Sequence, residues 1–282
     1  MTLKNKEQQY DVIKSSGKRV PFSLEKLKGS LHKSGASDTI INQIVNTVRD
    51  ELYQGISTKE IYNRAFALLK NKKSVFASKY KLKRAIYELG PSGFPFERFI
   101  GAILQYSGYQ IEIGKIIKGK CVFHEVDFIA KKNGEHIIGE CKFHSDSTNF
   151  CNVKVPLYIH SRYQDLVSIY KENSNNVIYK GWVVTNTRFT KDALKFGECM
   201  NLYMLSWDYP KDNGIKDRID RLGLYPITAS TLLSNREKQF LLSRDIVLFR
   251  QLAGDVFYLD HLGIKEKRKS RILQEINQLC NL

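Results

Sequence analysis

The sequence predicts a multidomain α/β protein. It has a mostly helical N-terminal segment, a central mixed sheet with flanking helices, and a small helical C-terminal region. Three observations predict it. Helical periodicity repeats through Leu24–Leu31, Thr39–Leu52, Thr58–Leu69 and Phe76–Leu89, after one short strand pair. From Phe96 to Trp207, helix-like and strand-like stretches alternate, which is the pattern of a sheet covered by helices. Between the two, Leu89-Gly90-Pro91-Ser92-Gly93 reads as a helix stop followed by a turn. Three segments follow: residues 1–91, 92–213 and 214–282.

In the first segment, Tyr10–Ile13 and Arg19–Phe22 are strand-like around a Ser16-Gly17 turn. In the second, Phe96–Tyr106 is an amphipathic helix. Gly108–Ile117, Cys121–Ala130 and His136–Phe143 are strands. Pro156–Glu172 is a helix with proline in its first turn. Gly181–Asn186, Lys191–Met200 and Leu202–Trp207 read as strand, helix and strand. The third segment is mostly helical, with a basic run from Lys265 to Arg271.

Composition narrows the function. With 42% apolar and 26% charged residues the chain can bury a core, which excludes wholesale disorder. Lys plus Arg number 45 against 29 acids, for a net charge of +16. Residues 1–90 hold 18 basic and 8 acidic side chains, so the excess is concentrated there. Such an excess favours polyanionic partners: nucleic acid, nucleotides or an acidic membrane surface. The alternative is lysine serving solubility alone. No apolar run approaches the roughly 20 residues of a membrane span, and the first ten residues lack the apolar core of a signal peptide. Five irregularly spaced cysteines read as reduced thiols of a cytoplasmic protein.

The stretch that carries chemistry is Cys121–His144. Asn133-Gly134 is a strong signal for a two-residue hairpin turn. With those residues as the loop, Lys132 pairs with Glu135, Asp127 falls opposite Glu140, and Glu125 falls opposite Lys142. Directly opposed carboxylates repel. A divalent cation with oxygen ligands relieves that repulsion, and magnesium, or manganese in its place, suits a site with few carboxylates. Lys142 adds a positive charge that can orient water or offset charge on a phosphate. The alternative is a solvated sheet face on which Glu125 and Lys142 form an ordinary pair. Arg162 and Asp165 on the following helix read as phosphate contacts or as a solvated pair, with the pair favoured. A Cys121, His124, Cys141, His144 zinc set is disfavoured, because residues three apart on a strand face opposite ways.

Asp127 followed by Glu140-Cys141-Lys142 resembles the D-x(n)-E-x-K pattern of the PD-(D/E)xK nuclease superfamily. Gly93-Phe94-Pro95-Phe96-Glu97 on a helix, with Gly108-Tyr109 opening a strand, resembles its Mrr-like restriction endonuclease branch. The resemblance covers about residues 93–207. It implies a restriction-endonuclease-like mixed sheet, with Asp127 and Glu140 as Mg2+ ligands, Lys142 assisting the attacking water, and Glu97 as an accessory carboxylate. The proline of the superfamily name is absent, since Val126 precedes Asp127.

Residues 12–88 resemble an ATP cone, a nucleotide-sensing domain. The matching residues are Val12–Gly17, Phe22-Ser23-Leu24-Glu25-Lys26-Leu27, Ile56–Tyr62, and Ala77 with Tyr80–Arg84. The resemblance implies that Lys14, Lys26 and Lys83 or Arg84 meet the phosphates of ATP or dATP, and that Ser23, Thr58 and Tyr62 line the pocket. Ser15-Ser16-Gly17 departs from the usual basic-acidic-glycine trio after Lys14. In the tail, Leu259–Ile264 before a basic helix resembles a helix-hairpin-helix clamp on phosphate backbone, with a packing and oligomerisation role as the alternative.

Together these readings predict a cytoplasmic, Mg2+-dependent DNA endonuclease gated by a nucleotide effector. Homo-oligomerisation, a restriction or anti-phage role and no membrane partner are expected with it. The alternative is a nucleotide-responsive DNA-binding regulator with an inactive nuclease fold.

Overall fold

The computed structural model describes residues 10–173 and 177–280. Residues 1–9, where the sequence lacks the apolar core of a signal peptide, lie outside the described residues. The chain divides into two compact units, one ending at Leu82 and the other beginning at Lys83, with Ser230–Leu232 grouped with the first. The expected boundary at 213–214 therefore falls inside the second unit.

In the first unit, β1 (Asp11–Ile13) and β2 (Arg19–Pro21) pair antiparallel around a turn in which Gly17 has φ +77°. Beyond β2, β1 also uses the segment before the third helix: Ile13 N–H donates to Ile56 at 3.0 Å. Helices α1 (Leu24–His32), α2 (Asp38–Asp50), α3 (Thr58–Lys72) and α4 (Ser74–Tyr87) follow. Ser23 caps α1 by accepting from Lys26 N–H at 3.3 Å, and Ser57 caps α3 by accepting from Glu60 N–H at 3.0 Å. The helices' apolar faces, with Leu31, Ile41, Val48 and Leu69 among them, form the core.

The second unit is built on a five-stranded mixed sheet in the order β3-β4-β5-β7-β9. Its elements are α5 (Phe94–Tyr106), β3 (Gln110–Lys118), β4 (Phe123–Lys132), β5 (Glu135–Lys142), β6 (Phe150–Cys151), α6 (Lys154–Asn173), β7 (Ile178–Thr185), β8 (Arg188–Phe189), α7 (Lys191–Cys199) and β9 (Tyr203–Leu205). β3, β4 and β5 are antiparallel, while β5, β7 and β9 are parallel and joined through α6 and α7. The two-residue strands β6 and β8 pair with each other. They are too short for periodicity to announce. The C-terminal helices are α8 (Ile215–Leu222), α9 (Asn235–Ser243), α10 (Phe249–Gly254), α11 (Phe257–His261) and α12 (Glu266–Cys280). A capping box at Ser234 and Glu237 starts α9, and Gly223 at φ +64° ends α8. Among the described residues no helix is long and apolar enough to cross a membrane.

The turn at Asn133-Gly134 has φ of 49° and 78°, which matches the hairpin type expected of this dipeptide. Its register is the expected one: Lys132 lies opposite Glu135 and Phe128 opposite Gly139. The ladder stops at that last pair, one position before Asp127 and Glu140. On its other edge Asp127 also lacks a ladder partner, because the β3–β4 register passes over Gly114, which has φ +61°. β5 meanwhile keeps its pairing with β7 through Lys142 opposite Thr185. The sheet thus opens a notch between β4 and β5 where the two carboxylates stand.

Candidate functional site

The notch is held open by side chains. Asp127 Oδ2 accepts the Cys141 N–H at 2.7 Å, in place of a backbone pair. The Phe128 ring lies over Gly139, where any Cβ would overlap it. Helix α5 is docked at the end of β5 by Phe96 and Phe143, whose ring centroids are 5.7 Å apart. Gly90 and Gly93 leave room there, the first for the Phe143 ring and the second for the Glu97 carboxylate. Glu97 is thereby brought into the field of Asp127 and Glu125.

The electrostatics follow from this crowding. Burial, then the charges of Asp127 and Glu125, push the Glu97 carboxyl up to about 7, against the opposing pull of Arg98. Burial and Asp127 push Glu140 up to about 7, while Arg162 opposes. Asp127 is also raised, mainly by burial, with the Cys141 N–H and Arg162 working against the shift. Lys142 is exposed, and its charge favours the ionised form of Asp127. Asp127 therefore lies within electrostatic reach of Glu97, Glu140 and Lys142.

Two expectations need correction. Arg162 does not pair with Asp165. Its Nη1 donates to Glu140 Oε2 at 2.5 Å and to the Glu125 carbonyl at 2.8 Å, and its Nη2 donates to the Tyr158 hydroxyl at 2.8 Å. Asp165 instead holds the β3–β4 turn: it accepts from Cys121 N–H at 2.8 Å and bonds His124 Nε2 at 2.7 Å. These bonds keep its carboxyl at about 2. One helical turn separates Arg162 from Asp165, so each reaches a different part of the sheet. The second correction concerns Glu125 and Lys142, which form no ion pair among the described residues, because the ladder that would oppose them ends at Phe128.

Among the described residues no three His, Cys, Asp or Glu side chains converge closely enough to hold a metal ion. Glu140 is turned to Arg162. The Cys121, His124, Cys141 and His144 set does not gather either.

In the first unit a cavity of about 200 Å³ is lined by residues from β1, β2, α1, α3 and α4. Five of the expected nucleotide residues line it: Lys14, Ser23, Lys26, Thr58 and Tyr62. Phe22 and Tyr80 join them, and the rings of Tyr62 and Tyr80 are stacked at 5.0 Å. The Ser23 hydroxyl is already engaged as the α1 cap. Lys83 and Arg84 do not line the cavity, as they lie a turn beyond Tyr80 on α4. Arg84 pairs with Glu88 at 3.2 Å, and Lys83 is lowered by burial and then by Arg188.

Residues 10–88 match the ATP cone domain family, and residues 225–280 match the family described as AF1548-like, C-terminal. An uncharacterised protein of Archaeoglobus fulgidus is 31% identical over 179 residues, which is 63% of this chain and 97% of that protein. The crystal structure of a protein of unknown function, AF1548, is similar with a TM-score of 0.55 at 25% identity, covering 67% of this chain and 99% of that one. These matches support the ATP cone and lend no support to the Mrr-like resemblance. Because 97% of the archaeal relative is matched at 31% identity, the chain belongs to the AF1548-like family, and it includes an ATP cone domain.

Proposed function

We propose that the second unit hydrolyses phosphodiester bonds in DNA with a divalent cation, Mg2+ or Mn2+, and that nucleotide bound to the ATP cone regulates it. One observation carries this reading: where the β4–β5 ladder ends, Asp127 stands within the field of Glu97, Glu140, Arg162 and Lys142, Arg162 is bonded to Glu140, and the Glu97 and Glu140 carboxyls are both pushed up to about 7. Crowding buried carboxylates in this way is costly even with Arg162 beside Glu140, and carboxyls perturbed by burial and like charge are candidates for functional sites.

The donors fit a hard cation, since all are carboxylate oxygens and their mutual repulsion would be relieved by one. Asp127 and Glu140 would hold it, with Arg162 giving up Glu140. When bound, it would polarise the phosphate and lower the pKa of water. The chain's own residues do the rest. Glu97, with a pKa about 7, takes the proton as a water oxygen bonds to phosphorus. The P–O bond to the leaving oxygen breaks, and solvent protonates that oxygen. Lys142 and the freed Arg162 offset the charge that develops on the phosphate.

The test incubates full-length protein with plasmid, linear and single-stranded DNA, with and without Mg2+ and with ATP or dATP. Cation-dependent cleavage, lost in Asp127→Asn, Glu140→Gln and Lys142→Ala, is expected. Cleavage undiminished in all three, or none under any condition, overturns the reading.

A second reading rests on the Arg162–Glu140 pair, which neutralises one of the two expected ligands. On that reading the chain is a nucleotide-responsive DNA-binding regulator without cleavage. It predicts salt-sensitive DNA binding, changed by nucleotide, with no strand scission. Sedimentation with and without nucleotide would show whether either activity is coupled to oligomer formation.

A further inference from the structure

We infer that the β3–β4 hairpin is a DNA-engaging ribbon that enters a groove of the duplex next to the notch. The inference rests on the nucleic-acid reading of that site and adds the surface by which the substrate is gripped.

The hairpin displays apolar side chains that a solvated loop has no use for. Ile116 is 73% exposed, Val122 56% and Phe123 69%. Between Ile113 and His124 there are three lysines, Lys115, Lys118 and Lys120, and no acid. Phe123 lies opposite Lys118, and Ile116 opposite Glu125, so an aromatic ring, an aliphatic side chain and an ammonium share one face of the ribbon, with the Glu125 carboxylate at its notch end. An exposed apolar strip bordered by lysines matches a partner with apolar base edges bordered by phosphates. A two-stranded ribbon is narrow enough for the major groove.

The ribbon is also pinned, which a passive loop is not. Besides Cys121 N–H and His124, Asp165 accepts from Val122 N–H at 3.4 Å, and its backbone carbonyl accepts from Lys120 N–H at 3.1 Å. A Cβ at Gly119 would collide with the Asp165 carboxylate, so the turn is seated on α6. Holding the tip rigid lowers the ordering cost of binding.

Its position fits the chemistry. On β4, residues 123, 125 and 127 share a face, so Phe123 stands two alternations from Asp127. At about 3.3 Å per residue the separation is about 13 Å. A duplex seated on the ribbon would run past the notch within a few base pairs.

The experiment measures binding of the full chain to a short fluorescent duplex without divalent cation, over a range of salt, beside single-stranded DNA of one sequence. Wild type is expected to bind the duplex with affinity that falls as salt rises. In Lys118→Ala/Lys120→Ala the slope of log K against log salt should shrink by about 2. In Phe123→Ala affinity should fall about tenfold with the slope unchanged, since no phosphate contact is lost. Both sets of residues are exposed, and circular dichroism confirms folding. Asp127→Asn removes a charge from the notch and none from the ribbon, so it should still bind the duplex; an Asp127→Asn chain that binds the duplex and cleaves it like wild type would sink the hydrolytic reading alone. Hairpin variants that bind the duplex like wild type, a stronger grip on single strands, or an effect confined to oligomeric state would each overturn the ribbon.

Discussion

Asp127 Oδ2 sits 2.7 Å from the backbone nitrogen of Cys141, one residue past the last backbone pair between β4 and β5. A side chain has taken over a ladder bond. The carboxylate therefore has two jobs, since one oxygen holds the strands' relative position while the group's charge faces Glu97 and Glu140.

Those jobs can be separated by substitution. Asp127→Ala removes the acceptor and leaves the Cys141 N–H without its partner, a cost of about 1–3 kcal/mol. Asp127→Asn keeps a carbonyl oxygen for that N–H and loses only the charge. Thermal denaturation should place Asn near wild type and Ala several degrees below, while both lose cation-dependent cleavage. Equal melting temperatures for the two variants would show that the bond contributes little.

The hairpin register was legible because Asn133-Gly134 and period-two alternation leave few alternatives. The helices of residues 24–89 were legible from their apolar spacing, and five of the residues expected to meet a nucleotide line one cavity. What periodicity could not show is where a ladder ends. The break at Asp127 depends on a side chain competing with backbone and on Gly114 opposite it, at φ +61°. Nor could spacing show that Arg162 would reach Glu140, because the rotation of α6 over the sheet is set by packing of Val126, Ile138, Leu166 and Val167. The one local hint was Tyr158, four residues before Arg162 and now its hydrogen-bond partner.

Glu140 makes stability depend on pH in an unusual direction. Its carboxyl titrates at about 7 in the folded chain, against an ordinary value of 4.5. The folded state thus holds a proton that the unfolded state releases, and the associated stability is present below about pH 4.5 and lost as pH rises through 7. Melting temperatures at about pH 5 and pH 8 should differ more for wild type than for Glu140→Gln. Added Mg2+ should raise the wild-type value at the higher pH and leave the variant unmoved. Identical slopes would remove Glu140 as the source.

In the ATP cone, Lys14 and Lys26 line the cavity and Lys83 does not. Charge-assisted contacts to a triphosphate are the strong ones. Lys14→Ala and Lys26→Ala should each weaken binding of a fluorescent ATP analogue by about tenfold or more, the size of one such bond. Lys83→Ala should leave it unchanged. Tyr80→Ala, which removes half of the Tyr62–Tyr80 stack, should weaken binding of nucleotide without changing the binding of inorganic triphosphate.

Gly139 ties the packing of the sheet to the placement of Glu140. Phe128 lies directly opposite it, and the ring crosses the space above the glycine. The ring also meets Trp182 edge-on at 6.5 Å, so it has little freedom to move aside. In Gly139→Ala the added methyl group must push the ring or the β5 backbone, an overpacking cost of about 1–3 kcal/mol. A backbone shift at 139 would displace Glu140 and the Cys141 N–H together. Gly139→Ala should therefore lower the melting temperature and reduce cleavage, and Gly139→Ala/Phe128→Leu should recover part of both by vacating the ring's space. If the double variant restores stability but not cleavage, the ring itself helps to position the carboxylates. If the single variant is as stable as wild type, the sheet is looser at the notch than this packing requires.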